Sequence, residues 1–215
     1  MFNINPFAEL SGLIPPIAMQ TYVILMAILV AGGPLLDTIH KKSAQYFFEN
    51  SEKQKKMSTR EVSGGEKVGI AIKTVAEDVL TSAEFCNQKR RVAHLLTMYG
   101  FILFVVSTAV MIFSYADSAN AAAWPLLWHL GAAMVCVGGY WFWFFIRVEV
   151  AAEGNPWYRV VRADLFILAL LATTSFALLW SVFGAIYFFV PFIAAATVLF
   201  GTVLWSKFAH MFFKP

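Results

Sequence analysis

Imidazoles and thiols are few in this chain: four histidines and two cysteines in 215 residues. Cys86 and Cys136 are fifty positions apart. That excludes an iron–sulfur cluster held by this chain alone, which takes about four ligands, and it excludes a disulfide framework. No nucleophile with a neighbouring base, no phosphate-binding glycine loop and no zinc-ligand spacing occurs. Cys86 precedes Lys89-Arg90-Arg91. Such a basic setting favours a thiolate, although an inert cysteine fits the same residues. Chemistry therefore falls to the histidines His40, His94, His129 and His210, and their use depends on where the elements place them.

Hydrophobic residues make up 60% of the chain and charged ones 13%, which points to a bilayer as solvent. A hydrocarbon core of about 30 Å takes about 20 apolar residues as helix. Charge-free runs of that length are Ile17–Leu36, His94–Tyr115 and Pro125–Ile146, followed by Leu165–Ser206, whose 42 residues are too many for one pass. Gly184, followed by Pro191, is the expected turn between a fourth and a fifth helix. The residues before the first run carry no Lys or Arg, so a retained helix is expected there rather than a signal peptide. Of the sixteen basic residues, eleven lie in Asp37–Arg91, three are Arg147, Arg159 and Arg162, and two are Lys207 and Lys214. With five spans all of these lie on one side, which the positive-inside tendency makes the cytoplasm. The net charge of only +3 leaves no overall basic field for nucleic acid.

About 55 residues separate the first two spans. The stretch HKKSAQYFFENSEKQKKMSTREV is expected to continue the first helix into water as far as Gly64-Gly65. Glu66–Arg91 spaces Val68, Ile72, Val75, Val79 and Leu80 by threes and fours between charged residues, as in an amphipathic helix. Such a helix either lies on lipid or its own bundle, or docks a soluble partner; its segment's eleven positive against eight negative charges argue against a purely lipid-binding role. By depth, His40, His94 and His210 fall near the cytoplasmic boundary and His129 near the opposite one. A haem b needs two axial imidazoles at one depth on facing helices, a condition His94 and His210 meet. A histidine at a membrane interface is equally at home as a polar boundary residue. Gly138-Gly139 suits close helix packing, the run Tyr140–Phe145 suits an interfacial aromatic belt or a quinone pocket, and Asp164 suits a helix N-terminus paired with its neighbours. Without buried carboxylates, internal repeats or broken helices, a pump or transporter is disfavoured.

Several stretches also carry a family resemblance. DVLTSAEFCNQKRRVAHLLTMYGF (Asp78–Phe101) and SKFAHMFFKP (Ser206–Pro215) resemble segments of the membrane subunits of respiratory nitrate reductase, heterodisulfide reductase and quinone-interacting oxidoreductases of sulfur metabolism. In those families both places carry haem b ligands, which the resemblance maps onto His94 and His210. LLDTIHKKSAQYFFEN, GGEKVGIAIKTVAEDVLTSAEFCNQKRR, PLLWHLGAAMVCVGGYWFWFFIRVEVAAEGNP and VVRADLFILALLATTSFALLW look like the membrane-anchor subunit of adenylylsulfate reductase from sulfur-oxidising bacteria. Two-haem relatives carry a second histidine deeper in each ligand-bearing helix, which this chain lacks, so the resemblance implies at most one haem.

The expectation is an all-α integral membrane protein, a bundle of five transmembrane helices with an amphipathic cytoplasmic helical segment. It divides into residues 1–36 (N-terminal segment and first span), 37–93 (cytoplasmic helical segment for partner docking) and 94–215 (four-helix transmembrane domain). The resemblance implies a bacterial cytoplasmic membrane, with the N-terminus periplasmic and the C-terminus cytoplasmic. It also implies that soluble flavin and iron–sulfur adenylylsulfate reductase subunits dock on the cytoplasmic face and that electrons pass to quinone. His94 and His210 are then the axial candidates for the haem iron, and Arg90, Arg91 and Lys207 candidates for propionates or a quinone headgroup. The alternative is a cofactor-free anchor that only tethers the reductase.

Overall fold

The computed structural model describes residues 2–40, 43–57, 63–83, 85, 87–147, 158–161 and 164–202. These fold as helices: α1 Pro6–Glu9, α2 Pro16–His40, α3 Ser43–Met57, α4 Gly64–Thr74, α5 Gln88–Ser114, α6 Trp124–Trp141, α7 Leu165–Phe183 and α8 Ile186–Gly201. A π-helical turn, Val75–Leu80, extends α4, and another, Phe142–Ile146, extends α6. Three helices are long and apolar enough to cross a membrane: α5, α6 with its π-turn, and α7. The apolar stretches Pro16–Gly32 and Ile186–Gly201 are shorter.

Local chemistry sets the boundaries. Asn87 caps α5 by accepting the Lys89 N–H at 2.9 Å. At α4, Ser63 Oγ accepts the Glu66 N–H at 3.3 Å, with the acid in the third helical position as in a capping box. Gly184 ends α7 with φ 63°, the left-handed conformation that glycine adopts without a Cβ penalty, and its N–H closes on the Trp180 carbonyl at 2.8 Å. The expected turn thus lies at Gly184-Ala185, whereas Pro191 stands inside α8. The amphipathic helix expected over Glu66–Arg91 is cut short. It ends at Leu80, because the backbone reverses at Ser82 (φ 50°). Arg91 belongs instead to α5, which begins two turns ahead of the charge-free run.

Between α5 and α6 the backbones nearly touch. A Cβ on Gly100 would lie 2.8 Å from the Gly131 carbonyl oxygen, and one on Gly138 would lie 2.8 Å from that of Ala93. Seven residues back along α5 match seven forward along α6, so the pair is antiparallel. Next to Gly138, Gly139 receives Leu171 of α7, whose Cδ2 would be 2.7 Å from an added Cβ. The pair Gly138-Gly139 therefore seats one helix on each side. A two-residue connection returns the chain from α7 into α8, and α8 closes the bundle against α5 through Phe101–Phe200 (6.3 Å) and Phe104–Phe192 (6.5 Å) ring contacts. α2 lies against α5 and α8, with Gln20 donating to the Ile112 carbonyl at 3.2 Å and Tyr22 to that of Ile193 at 3.3 Å.

At the end of the bundle remote from Arg90 and Arg91 the core is aromatic. Trp128 is fully buried, stacks on Phe104 at 5.2 Å and donates its indole N–H to Thr108 Oγ1 at 2.9 Å. Phe7 sets its edge against Trp128 and Trp180 at 5.9 and 5.3 Å. Asn5, also fully buried, holds this segment in place by donating to the Tyr115 carbonyl at 2.8 Å while its own N–H donates to that of Ala119 at 2.8 Å. Lipid gives helices no hydrophobic drive to associate, so close backbone approach and such polar links do that work. Gly131→Ala is accordingly expected to cost about 1–3 kcal/mol through overpacking. Gly32→Ala, with nothing within 4 Å of its added Cβ, is expected to leave the melting temperature of the detergent-solubilised protein unchanged.

Candidate functional site

Of the expected site residues, Arg90, Arg91 and His94 lie at the charged end of the bundle. Ala93 is buried against Gly138. That turns the next residue, His94, outwards by about 100°, and it is exposed. Its ring packs on that of Phe85 at 5.1 Å. Arg90 and Arg91 stand one turn nearer the helix start and are half-buried; Arg91 Nε donates to the Thr81 carbonyl at 2.7 Å. Phe101 shares a face of α5 with His94, two turns deeper, where it meets Phe200 of α8. Lys207, His210 and Cys86 lie outside the described residues, as does Arg162. His40 ends α2.

An imidazole with two guanidiniums one turn away fits one axial half of a haem b site: His94 for the iron, Arg90 and Arg91 for propionates. Gly138 and Gly139 of α6, and Ile167 and Leu171 of α7 beside Gly139, offer no ligand there. Among the described residues no group of three or more His, Cys, Asp or Glu could hold a metal ion.

Comparison with protein-family models, curated proteins and solved structures found no match.

His129 is buried at the aromatic end, where its Nδ1 lies 2.6 Å from the Pro125 carbonyl and its Nε2 lies 2.6 Å from Ser181 Oγ. A carbonyl can only accept, so Nδ1 carries the proton and Nε2 of the neutral ring accepts from Ser181. Nδ1 is thus engaged within α6, and Nε2 joins α6 to α7. The sequence places this histidine near the boundary opposite His94 but does not reveal Ser181, because fifty-two positions separate the two and only the antiparallel register brings them together. Cys136 serves the same helix pair, 3.4 Å from Thr174 Oγ1.

Asp164 pairs with Arg147, whose guanidinium also donates to the Arg159 carbonyl at 2.7 Å and lies 3.8 Å above the Trp143 ring. Among the described residues its partner is the arginine across the connection, while Arg162 lies outside them. Asp164 also accepts the Val161 N–H at 2.9 Å. The signal was present in the sequence, since Arg147 and Asp164 are the charges that flank the third and fourth spans. The aromatic run divides as a belt would: Trp143 and Ile146 are buried while Phe144 and Phe145 face outwards. The π-turn is closed by the Arg147 N–H on the Phe142 carbonyl at 2.9 Å.

The side chains of this ion pair are only 8% and 13% exposed, so breaking it strands a buried charge. Asp164→Asn is expected to cost about 3–5 kcal/mol, and the double replacement Arg147→Met with Asp164→Leu to recover most of that loss. Thermal unfolding of the two variants in detergent checks the order; a double variant that loses as much as Asp164→Asn, or more, would show that a stranded charge is not the cause of the loss.

Proposed function

We propose that this chain is a five-span membrane subunit of a bacterial cytoplasmic membrane that anchors soluble adenylylsulfate reductase. In this reading electrons released when sulfite and AMP become adenylylsulfate pass through it to quinone. α2 and α8 supply the two further spans, the N-terminus is periplasmic and the C-terminus cytoplasmic. The reading rests on the resemblance of the quoted stretches, together with one geometric observation. His94 and Phe101 share a face of α5, and Phe101 meets Phe200 of the antiparallel α8. His94 lies about 10 Å from Phe101 along the axis, and the ten residues from Phe200 to His210 cover about 15 Å as helix and over 30 Å extended. The chain is thus long enough for the second imidazole to reach the level of the first. When bound there, a haem b supplies a one-electron carrier at the charged end. Arg90, Arg91 and Lys207 hold propionates or a quinone headgroup.

A second reading, the cofactor-free tether, is favoured by the exposed position of His94 and its contact with Phe85, since a boundary histidine needs no iron to sit there. Both readings expect co-purification with a flavin and iron–sulfur enzyme. The reduced-minus-oxidised absorption spectrum of the purified chain separates them. A b-type α-band is expected, abolished in His94→Ala and His210→Ala and retained in His129→Leu. A chain without such a band, yet still binding the reductase, would be the tether.

A further inference from the structure

α4 carries an apolar stripe that nothing in the described fold covers. None of its residues is buried, and Val68, Ile72 and Val75 are 59%, 64% and 52% exposed. At about 100° per residue these three fall within a sector of roughly 60°, with Glu66, Lys73 and Glu77 on the far side. Lys73 and Glu77 lie 3.9 Å apart along that polar face.

The end of this helix is held at a definite depth. Tyr99 donates its hydroxyl to the Leu80 carbonyl at 2.6 Å, and Arg91 Nε donates to that of Thr81 at 2.7 Å. Both donors belong to α5, a helix long and apolar enough to cross a membrane, and they bracket His94, where its charge-free run begins. The last turn of α4 is thus fixed at the level where headgroups meet hydrocarbon. Ser82, at φ 50° and 1% exposed, reverses the chain between the helices, so α4 does not continue the line of α5. The Ala83 N–H closes this reversal on the Glu77 carbonyl at 3.0 Å.

We propose that α4 lies in the membrane interface on the charged side of the bundle, with Val68, Ile72 and Val75 among the upper acyl chains. The occupant of the stripe is phospholipid, not a soluble protein. Continuity with the outward-facing Tyr99 and Ile102 of α5 gives the stripe a lipid surface to join. The opposite side carries Lys67 and Lys73 against Glu66 and Glu77, with Ile70 exposed among them, so it has no net positive charge to attract anionic headgroups. Insertion is therefore driven by apolar area and indifferent to lipid charge. The inference rests on the membrane placement of α5 and not on the identity of any soluble partner, for which it leaves the charged α3.

The test uses the full chain with its two cysteines replaced by serine and single cysteines introduced in turn at positions 66, 68, 72, 73, 75 and 77, each carrying an environment-sensitive nitrobenzoxadiazole label. The proteins are reconstituted in phosphatidylcholine vesicles. Labels at 68, 72 and 75 are expected to emit at shorter wavelength, to be quenched by lipid-borne nitroxide, and to be roughly threefold less accessible to aqueous iodide than those at 66, 73 and 77. Replacing a third of the lipid, roughly, by phosphatidylglycerol should leave this pattern unchanged. A label at Ile102 reports the bilayer itself. Iodide access at 68, 72 and 75 equal to that at 73, with Ile102 still protected, would overturn the proposal while leaving the membrane reading intact. Protection that appears only with phosphatidylglycerol would overturn it too.

Discussion

The near-contact of the α5 and α6 backbones governs the rest of this fold. In lipid an apolar helix gains nothing by exchanging acyl chains for leucines, so association depends on surfaces that approach more closely than lipid can pack. Gly100 against Gly131 and Ala93 against Gly138 provide that approach. Because a Cβ at any of the three glycines would meet backbone within 3 Å, the contact fixes register as well as distance. With that register set, Trp128 meets Phe104 and Thr108, and the resulting ring surface receives Phe7, Trp180 and Phe192. About 100° round the helix, Gly139 makes room for the Leu171 side chain of α7.

The two ends of the bundle are built differently. The aromatic end is closed by its own chain: Asn5 ties the N-terminal segment to the turn at Tyr115–Ala119, and His129 is committed to Pro125 and Ser181. The charged end is held by ionic and carbonyl contacts that reach across connections, Arg147 to Asp164 and Arg159, Arg91 to Thr81. Links of this second kind organise chain outside the spans. They set the position of Tyr158–Val161 and of the segment leading into α5.

Much of this architecture was legible in the sequence because bilayer thickness acts directly on composition. The charge-free runs beginning at Ile17, His94, Pro125 and Leu165 each coincide with a helix, and Gly184 turns where a glycine at the middle of an overlong run should. Legibility failed where tertiary contact overrode local pattern. Periodicity from Glu66 onward says helix as far as Arg91, yet Ser82 takes a left-handed conformation that serine rarely adopts, and periodicity carries no trace of it. The pairing of Asp164 with Arg147 and of His129 with Ser181 depends on which helices are neighbours and in what register. That register came from glycines whose role was recognised at Gly138-Gly139 but not at Gly100 and Gly131.

The same register bears on the imidazole chemistry. Ala93 faces Gly138, so His94, one residue on, turns away from α6 and is exposed. His129, on α6, stands at the other end with both ring nitrogens engaged. Among the described residues, therefore, no two histidines meet between α5 and α6 or between α6 and α7. The face of α5 that carries His94 and Phe101 is the one along which α8 runs, as the Phe101–Phe200 contact shows. His94 and His129 thus stand at opposite ends of the bundle, the first on an outward face of α5 and the second tied through Ser181 to α7.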